Sequence, residues 1–441
     1  MDIEQLKAIP IEQLVAAAQP NQTNGATGTA TANSSLTGGS IAGQPTAQPA
    51  TTPAQTSRYL IDVGISDHAN ALCVQHLYGD KIAYADGFGW IVYNGKYWER
   101  ETAESFVDHA IIDTLSERIK AALADNPQAH DKLIKFCIPN DGRIRAAKNR
   151  LLPLVTTKVS EFEKAPDLLN VQNGTVNLRT GKLDPHSHVN RFMHCANGDY
   201  DPNADCTVWV NWLTDAVGGD KEIVDWLQMA VGYTLTGSVR EGCLFYLYGP
   251  TRSGKGTFTG TLLELLGKPL AKSVSFSLFT AKREGDTQNF DLAPLKPCRF
   301  IAASESNSYE RFNEALVKTL TGEDEISCAF KFGEHFNYIP QFKIWLSSNE
   351  PINADPDKDA TWGRFHLIEF PNSHLGKEDR ELKEKLQSPD ALKGVLRWAV
   401  EGAKRWYATG ATGLPKLAKL ENAKKSQRDE LDHVQAWINE S

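Results

Sequence analysis

Residues 249–257, Gly-Pro-Thr-Arg-Ser-Gly-Lys-Gly-Thr, restrict what this chain can fold into more than any other stretch. The apolar run Leu244-Phe245-Tyr246-Leu247-Tyr248 precedes them, and Phe258, Leu262, Leu263, Leu265 and Leu266 follow at helical spacing. A buried strand, a glycine-rich turn and a helix in that order make a phosphate-binding loop. Gly249 and Gly254 allow the backbone to curl so that its N–H groups face an anion. The candidate nucleotide-binding segment is therefore Gly249, Pro250, Thr251, Arg252, Ser253, Gly254, Lys255, Gly256 and Thr257. Lys255 supplies a point charge for the outer phosphates, and the helix N-terminus adds its partial positive charge. The residue after such a lysine is normally Ser or Thr, whose hydroxyl ligates Mg²⁺. Here that place is Gly256, and the hydroxyl comes one residue later on Thr257. The loop by itself implies a nucleoside triphosphate and leaves its use open.

The chain has 441 residues, long enough for two or three domains with ample core. Its net charge of -8 argues against general polyanion binding, so any nucleic acid must meet a local basic surface or a channel. The seven cysteines are scattered without a Cys-x-x-Cys pair, which predicts reduced thiols, a cytoplasmic setting and no zinc ribbon. His186, His188, His194 and Cys195 crowd together but match no standard zinc spacing, and read as solvated loop residues. No apolar run approaches membrane-spanning length and the N-terminus lacks a signal-peptide layout, so no membrane partner is expected.

Composition divides the chain into five expected segments. Residues 1–18 carry a short amphipathic pattern. Residues 19–57 are mostly Thr, Ala, Gly, Gln, Pro, Ser and Asn with no charge, the composition of a disordered linker. Residues 58–235 predict a smaller mixed α+β domain. Its hairpins turn at Asn94-Gly95 and Asn173-Gly174, a helix covers 106–122, and a mainly helical stretch at 208–235 packs Trp209, Trp212 and Trp226 into a core. Residues 236–410 alternate strands with helices, the pattern of an α/β domain with a central parallel sheet. Its expected strands are Cys243–Tyr248, Cys298–Ala303, Phe342–Ser347 and Phe365–Phe370. Residues 411–441 predict a helical tail.

The three later strands each lead into, or out of, a residue useful to a triphosphatase. The run Arg299–Ala303 enters Ser304-Glu305, and a carboxylate at the C-terminal end of a buried strand can hold Mg²⁺ through water or polarise the attacking water. The next strand runs into Ser347-Ser348-Asn349, where a neutral amide can sense the terminal phosphate. Arg364 introduces the last strand and is a candidate finger for charge on the transferring phosphoryl group.

A phosphate loop, an acid-ended strand, an asparagine-ended strand and a late arginine, in that order, resemble the superfamily 3 helicases of the AAA+ class. The closer resemblance is to phage and plasmid primase–helicases, kin to the poxvirus primase–helicase. It is carried by Ser304-Glu305-Ser306, the stretch Phe312–Asp324, Pro340–Lys343, Ser348-Asn349-Glu350-Pro351 and Ala360–Phe365. Upstream it takes in Leu169-Asn170-Val171, Asn173-Gly174, Arg179-Thr180-Gly181 and Tyr200-Asp201-Pro202. The resemblance implies a hexameric ring in which Arg364 acts on nucleotide held by the neighbouring subunit. It also implies a channel hairpin that grips single-stranded or forked DNA, here Ile326 to Tyr338 with Gly333 near its tip. Lys331 and His335 are then the phosphate-contacting candidates, with Phe332 and Phe336 free to stack or pack. Relatives usually carry an arginine near the position of Cys328-Ala329-Phe330, and this chain has none.

The function these residues imply is an ATP-driven DNA-unwinding motor in replication of a phage, plasmid or integrated element. Lys255, Glu305, Asn349 and Arg364 form its catalytic set, Thr257 and Glu305 its Mg²⁺ ligands, and ATP its fuel. A primase or polymerase is compatible as a further partner. Two other classes compete. One is a nucleotide-dependent initiator ring that binds DNA without unwinding it. The other is a nucleotide kinase, which shares Gly-Lys-Gly-Thr but usually places the loop near its N-terminus beside an arginine-rich lid.

Overall fold

The computed structural model describes residues 52–280, 289–304, 312–329, 335–355, 357–377 and 379–440. The expected N-terminal helix and most of the expected linker lie outside the described residues. The last linker residues do not: helix α1, Pro53–Asp62, begins inside that stretch. Proline suits a first helical turn, and α1 buries Leu60 beside Cys73 and Ala121. Tertiary burial thus recruits a segment whose composition alone reads as linker.

Helices α2 (Asp67–Tyr78), α3 (Ala103–Asp125), α4 (Asp131–Cys137) and α5 (Asp141–Val155) surround a small antiparallel sheet. Its strands are β1 (Ile82–Ala85), β2 (Gly89–Tyr93) and β3 (Trp98–Glu99), with the expected turn at Asn94-Gly95 between the last two. Val74, Trp90, Ile111, Leu115 and Leu151 form their common core. Arg118 is fully buried at its side and donates to Leu60 O at 2.9 Å, to Asn70 and to Gly64 O, so it ties α1 and its following turn to α3. A second antiparallel sheet follows: β4 (Leu168–Val171), β5 (Gly174–Asn177) and β6 (Lys182–Asp184).

The clustered histidines beside this sheet are only partly solvated. His186, His188 and His194 are half-buried. His186 bonds Asn170 Oδ1 at 3.0 Å and Gln172 O at 3.2 Å. Burial pushes the His194 imidazole down to about 4. The His186 ring thus ties the segment after β6 to β4, and the His188 ring packs on Tyr93 with centroids 6.1 Å apart, contacts that spacing in the sequence does not reveal. All seven cysteines are free, and six are buried.

Helices α6 (Thr207–Ala216) and α7 (Lys221–Leu235) lead into the central sheet. Five parallel strands, β7 (Leu244–Tyr248), β8 (Ala271–Ser275), β9 (Phe300–Ser304), β12 (Lys343–Ser348) and β13 (Phe365–Glu369), stand in the order β13-β7-β12-β9-β8. Four of the five were expected within two residues. The fifth, β8, has the polar sequence Ala-Lys-Ser-Val-Ser and was not. It is an edge strand, so its pairing with β9 requires no continuous apolar run.

Strand periodicity splits the core in two. Phe245, Leu247, Phe300, Ala302, Trp345 and Ile368 point to one face, against α6, α7, α8 (Lys255–Leu266) and the later helix α11 (Pro389–Ala408). Leu244, Tyr246, Ile301, Ala303, Ile344 and Leu367 point to the other, against Phe276, Leu292 and Val317. The tryptophans behave as core residues: Trp209 stacks on Phe258 with ring centroids 5.7 Å apart, and Trp226 is buried beside Phe245.

After a short helix α10 (Leu382–Leu386), the long helix α11 (Pro389–Ala408) crosses α7 with the backbones nearly touching. A Cβ at Gly402 would lie 1.8 Å from Gln228 O, and one at Gly232 would lie 2.0 Å from Ala403 N. Residues of this core thus come from as far upstream as Leu169 of β4, well ahead of the strand that carries the phosphate loop. The tail forms helix α12 (Ala418–Glu440), which lies along β13. Leu420 packs into one core and Leu431 against the other, while Gln427 Oε1 accepts from Ile352 N at 3.2 Å. A helix straddling the last strand covers an edge that would otherwise invite pairing. No helix among the described residues is long and apolar enough to cross a membrane.

Candidate nucleotide site

Strand β7 ends at Tyr248, and the chain must turn sharply to start α8 at Lys255. Gly249 has φ 149°, and a Cβ there would lie 2.1 Å from Phe370 O. Gly254 caps the helix at φ 98°, and Arg252 adopts φ 62°. These left-handed residues fold the loop over the end of β7, and Gly256 beyond them has open space around it.

Lys255 folds back into this loop. Its Nζ donates to Gly249 O at 2.6 Å, Pro250 O at 2.9 Å, Ser253 Oγ at 3.1 Å and Asn349 Oδ1 at 3.0 Å. Burial pushes its ammonium down to about 8. Asn349 follows directly on β12, which is paired with β7 so that Ser348 stands opposite Tyr248. That pairing lets the Asn349 amide reach both ways: its Oδ1 accepts from Lys255 and its Nδ2 donates to Thr251 Oγ1 at 3.3 Å. The loop lysine and the strand-end asparagine, 94 residues apart, therefore form one polar cluster.

Strand β9 lies beyond β12, with Ser304 opposite Ser347. Glu305 comes next in sequence and lies outside the described residues. Thr257, in the first turn of α8, is half-buried, and its hydroxyl has no partner among the described residues. The Ser347 hydroxyl is buried and likewise unpaired. Both are hard oxygen donors of the kind that Mg²⁺ accepts.

Arg364 is elsewhere. It precedes β13, which runs parallel to β7 with Phe365 opposite Leu244 and Glu369 opposite Tyr248. Arg364 O accepts from Leu244 N at 2.8 Å, so the residue sits at the start of the sheet while the loop sits at its end. Five residues at about 3.3 Å each separate the two by roughly 16 Å. Its guanidinium donates to Gly242 O at 2.9 Å and Thr321 Oγ1 at 2.8 Å. Within one chain Arg364 cannot reach a phosphate held by the loop.

The expected hairpin has its two arms. Strands β10 (Ile326–Ala329) and β11 (His335–Tyr338) pair antiparallel, with Ala329 opposite His335. His335 is exposed at the last pair. Phe336 packs partly against the core beneath. Lys331, Phe332 and Gly333 lie outside the described residues.

Several supports of the loop carry no motif in the sequence. Trp212 of α6 packs against Gly254, 3.3 Å from the place a Cβ would take. Ser373 Oγ donates to Thr251 O at 2.8 Å and His374 N to Arg252 O at 3.0 Å, bracing the loop from the segment after β13. Asp215 joins the same brace, accepting from Asn372 Nδ2 through its backbone oxygen at 2.7 Å and standing 3.3 Å from His374 Nε2. Backbone acceptors leave no sequence signature, so only the turn composition around Pro371-Asn372-Ser373 hinted at a role.

Two family models match the chain. Residues 71–218 match the family described as D5 N terminal like. Residues 247–364, from the end of β7 to Arg364, match a family of unknown function, DUF5906. Over 222 residues the chain is 25% identical to a protein of Acanthamoeba polyphaga mimivirus described as a candidate helicase. Over these stretches the chain is similar to the D5 N-terminal family and to that viral helicase. The mimivirus alignment covers 49% of this chain and 23% of the relative, so the chain spans about a quarter of that protein's length. Among solved structures, the apo C-terminal region of NrS-1 superposes with a TM-score of 0.39 at 14% identity, covering 56% of this chain and 64% of that one. A second structure of that region, residues 305–718, gives 0.36 at 14% identity, covering 51% and 60%.

Proposed function

We propose that this chain hydrolyses ATP with Mg²⁺ and that rings of it, hexamers by the family resemblance, use the hydrolysis to unwind DNA. The observation that carries this reading is the division of the catalytic set between opposite ends of the sheet. Lys255 and Asn349 meet at the phosphate loop, whereas Arg364 stands at the far end, bound to Thr321 and Gly242. An arginine finger so placed serves only a loop on another copy, and a head-to-tail contact of that kind closes into a ring. In the loop, the backbone amides and Lys255 would bind the β and γ phosphates, and Asn349 would read the γ phosphate. Thr257 and Glu305 would hold Mg²⁺, whose charge would offset that developing on the transferred group. His335 and Lys331 on the hairpin would meet the backbone of single-stranded DNA, in a replication fork served by a primase or polymerase.

The test is ATP hydrolysis with and without single-stranded DNA, together with strand displacement on a forked duplex. The motor reading expects hydrolysis stimulated by single strands, displacement of the duplex, and loss of both in Lys255→Ala. Absence of ATP hydrolysis in the wild type under both conditions sinks the reading. Hydrolysis without displacement favours the initiator ring, and phosphoryl transfer to a nucleoside monophosphate without DNA stimulation favours the kinase.

A further inference from the structure

Arg364 is joined to the root of the hairpin by a single side chain. Thr321 is the last residue of α9 (Glu314–Thr321) and is buried. Its Oγ1 donates to Val317 O at 2.7 Å and accepts from Arg364 Nη1 at 2.8 Å. Only residues 322–325 separate it from Ile326, the first residue of β10. Asn313 caps the other end of α9 by accepting from Leu316 N at 3.1 Å, so the helix is a short rigid lever between its cap and the hairpin.

A cavity of about 460 Å³ opens beside this contact, lined by Glu314, Ala315 and Lys318 of α9, by Lys358 and by Arg364. Lys358 is neutralised by Glu314 at 3.1 Å. Lys318 is exposed, one turn before Thr321, and its ammonium makes no ion pair or hydrogen bond among the described residues. The lining carboxylates are paired, Glu314 with Lys358 and Asp359 with Arg428 at 2.7 Å, so an anion entering here would meet the cations of Arg364 and Lys318. Both present acceptors of the Arg364 guanidinium are neutral oxygens, and a phosphate oxygen is the stronger acceptor.

We propose that Thr321 is a positioning residue that couples Arg364 to the DNA hairpin, so that a neighbouring copy's triphosphate, drawing Arg364 into this cavity, releases the hairpin root. This inference rests on the ring reading above and adds the residue through which the two sites communicate. When Arg364 leaves, Thr321 keeps only its intrahelical bonds to Val317 O and Lys318 O, and the link from α9 to the start of β7 at Gly242 is lost. The hairpin is then free to shift with α9. On hydrolysis the phosphate departs and the neutral acceptors recapture the guanidinium.

Thr321→Val keeps the shape and removes the acceptor, whereas Thr321→Ser keeps the hydroxyl. Two quantities are measured on assembled protein: the ratio of ATP hydrolysis with and without single-stranded DNA, and the ratio of single-strand affinities with a non-hydrolysable ATP analogue and with ADP. Thr321→Val is expected to shrink the second ratio by about fivefold, the factor carried by one ordinary hydrogen bond, and to lower the first. Thr321→Ser is expected to match the wild type in both. If the valine variant melts early, Thr321→Ala serves the same comparison. Wild-type ratios in Thr321→Val overturn the proposal, and so do equal losses in the serine and valine variants, which would assign Thr321 a packing role. A wild type that hydrolyses no ATP refutes the motor reading alone, because the nucleotide-dependent affinity still reads the coupling. A wild-type affinity indifferent to nucleotide refutes the coupling.

Discussion

Raising the pH from about 7 to about 9 is expected to weaken triphosphate binding about tenfold, through Lys255. Its Nζ is held against four oxygens of the loop and Asn349, and burial pushes its ammonium down to about 8. With that value the charged fraction in the free protein falls from about nine-tenths at pH 7 to about one-tenth at pH 9. A bound polyphosphate places anionic oxygens against Nζ, which favours the charged form and raises its pKa in the complex. Binding above about pH 8 therefore takes up a proton, and affinity falls as the pH rises, by a limiting factor of about ten per unit. Calorimetric titrations in two buffers of different ionisation enthalpy read both the affinity and the proton uptake. Lys255→Arg keeps a positive charge that does not titrate in this range, so whatever affinity it retains should not change between the two pH values. A wild-type affinity that stays level without proton uptake refutes the reasoning, as does an equal slope in Lys255→Arg.

Other consequences concern the ring, the metal and the loop backbone. Lys255→Ala and Arg364→Ala should each abolish hydrolysis, yet an equal mixture reassembled as rings should recover activity at about a quarter of its interfaces, those pairing an intact loop with an intact arginine. Steady-state hydrolysis across mixing ratios checks this, and no recovery at any ratio removes the assignment in trans. Thr257→Ala should raise the Mg²⁺ concentration needed for half-maximal hydrolysis. Adding Gly256→Ser, for which the backbone has open space, should lower it again. An unchanged Mg²⁺ requirement in Thr257→Ala excludes its hydroxyl from the metal. Gly249→Ala should cost more than about 1 kcal/mol of stability in a urea titration, since it combines a disfavoured φ with a contact on Phe370 O. A midpoint equal to that of the wild type contradicts the loop geometry.

The local elements were legible in the sequence because their causes are local. Strand, glycine turn and helix around Lys255 follow from apolar runs and two left-handed glycines, whereas the 326–338 hairpin was expected from the family resemblance alone. Four strands of the central sheet were legible because burial on both faces demands continuous apolar residues. Strand β8 was not, since an edge strand is stabilised by pairing with β9 and leaves little mark on its own composition. The same holds for α1, which burial of Leu60 draws into a helix, and for the histidines near β4, whose burial depends on chain segments far apart in sequence.

The order of Lys255, Asn349 and Arg364 along the chain, and the chemistry each residue type can perform, were determined by the sequence by itself. Only the tertiary structure decided their distances. Parallel pairing of β12 with β7 brings Asn349 to Lys255, because both residues follow the C-terminal ends of neighbouring strands. The equally parallel pairing of β13 with β7 carries Arg364 away, because Arg364 precedes its strand rather than following it. The physical reason is strand direction: in a parallel sheet, residues before and after a strand lie at opposite edges, separated by the length of the strand. That separation sets Arg364 against Thr321 at the foot of the hairpin, a contact between residues 43 apart in the chain that no motif in the sequence records.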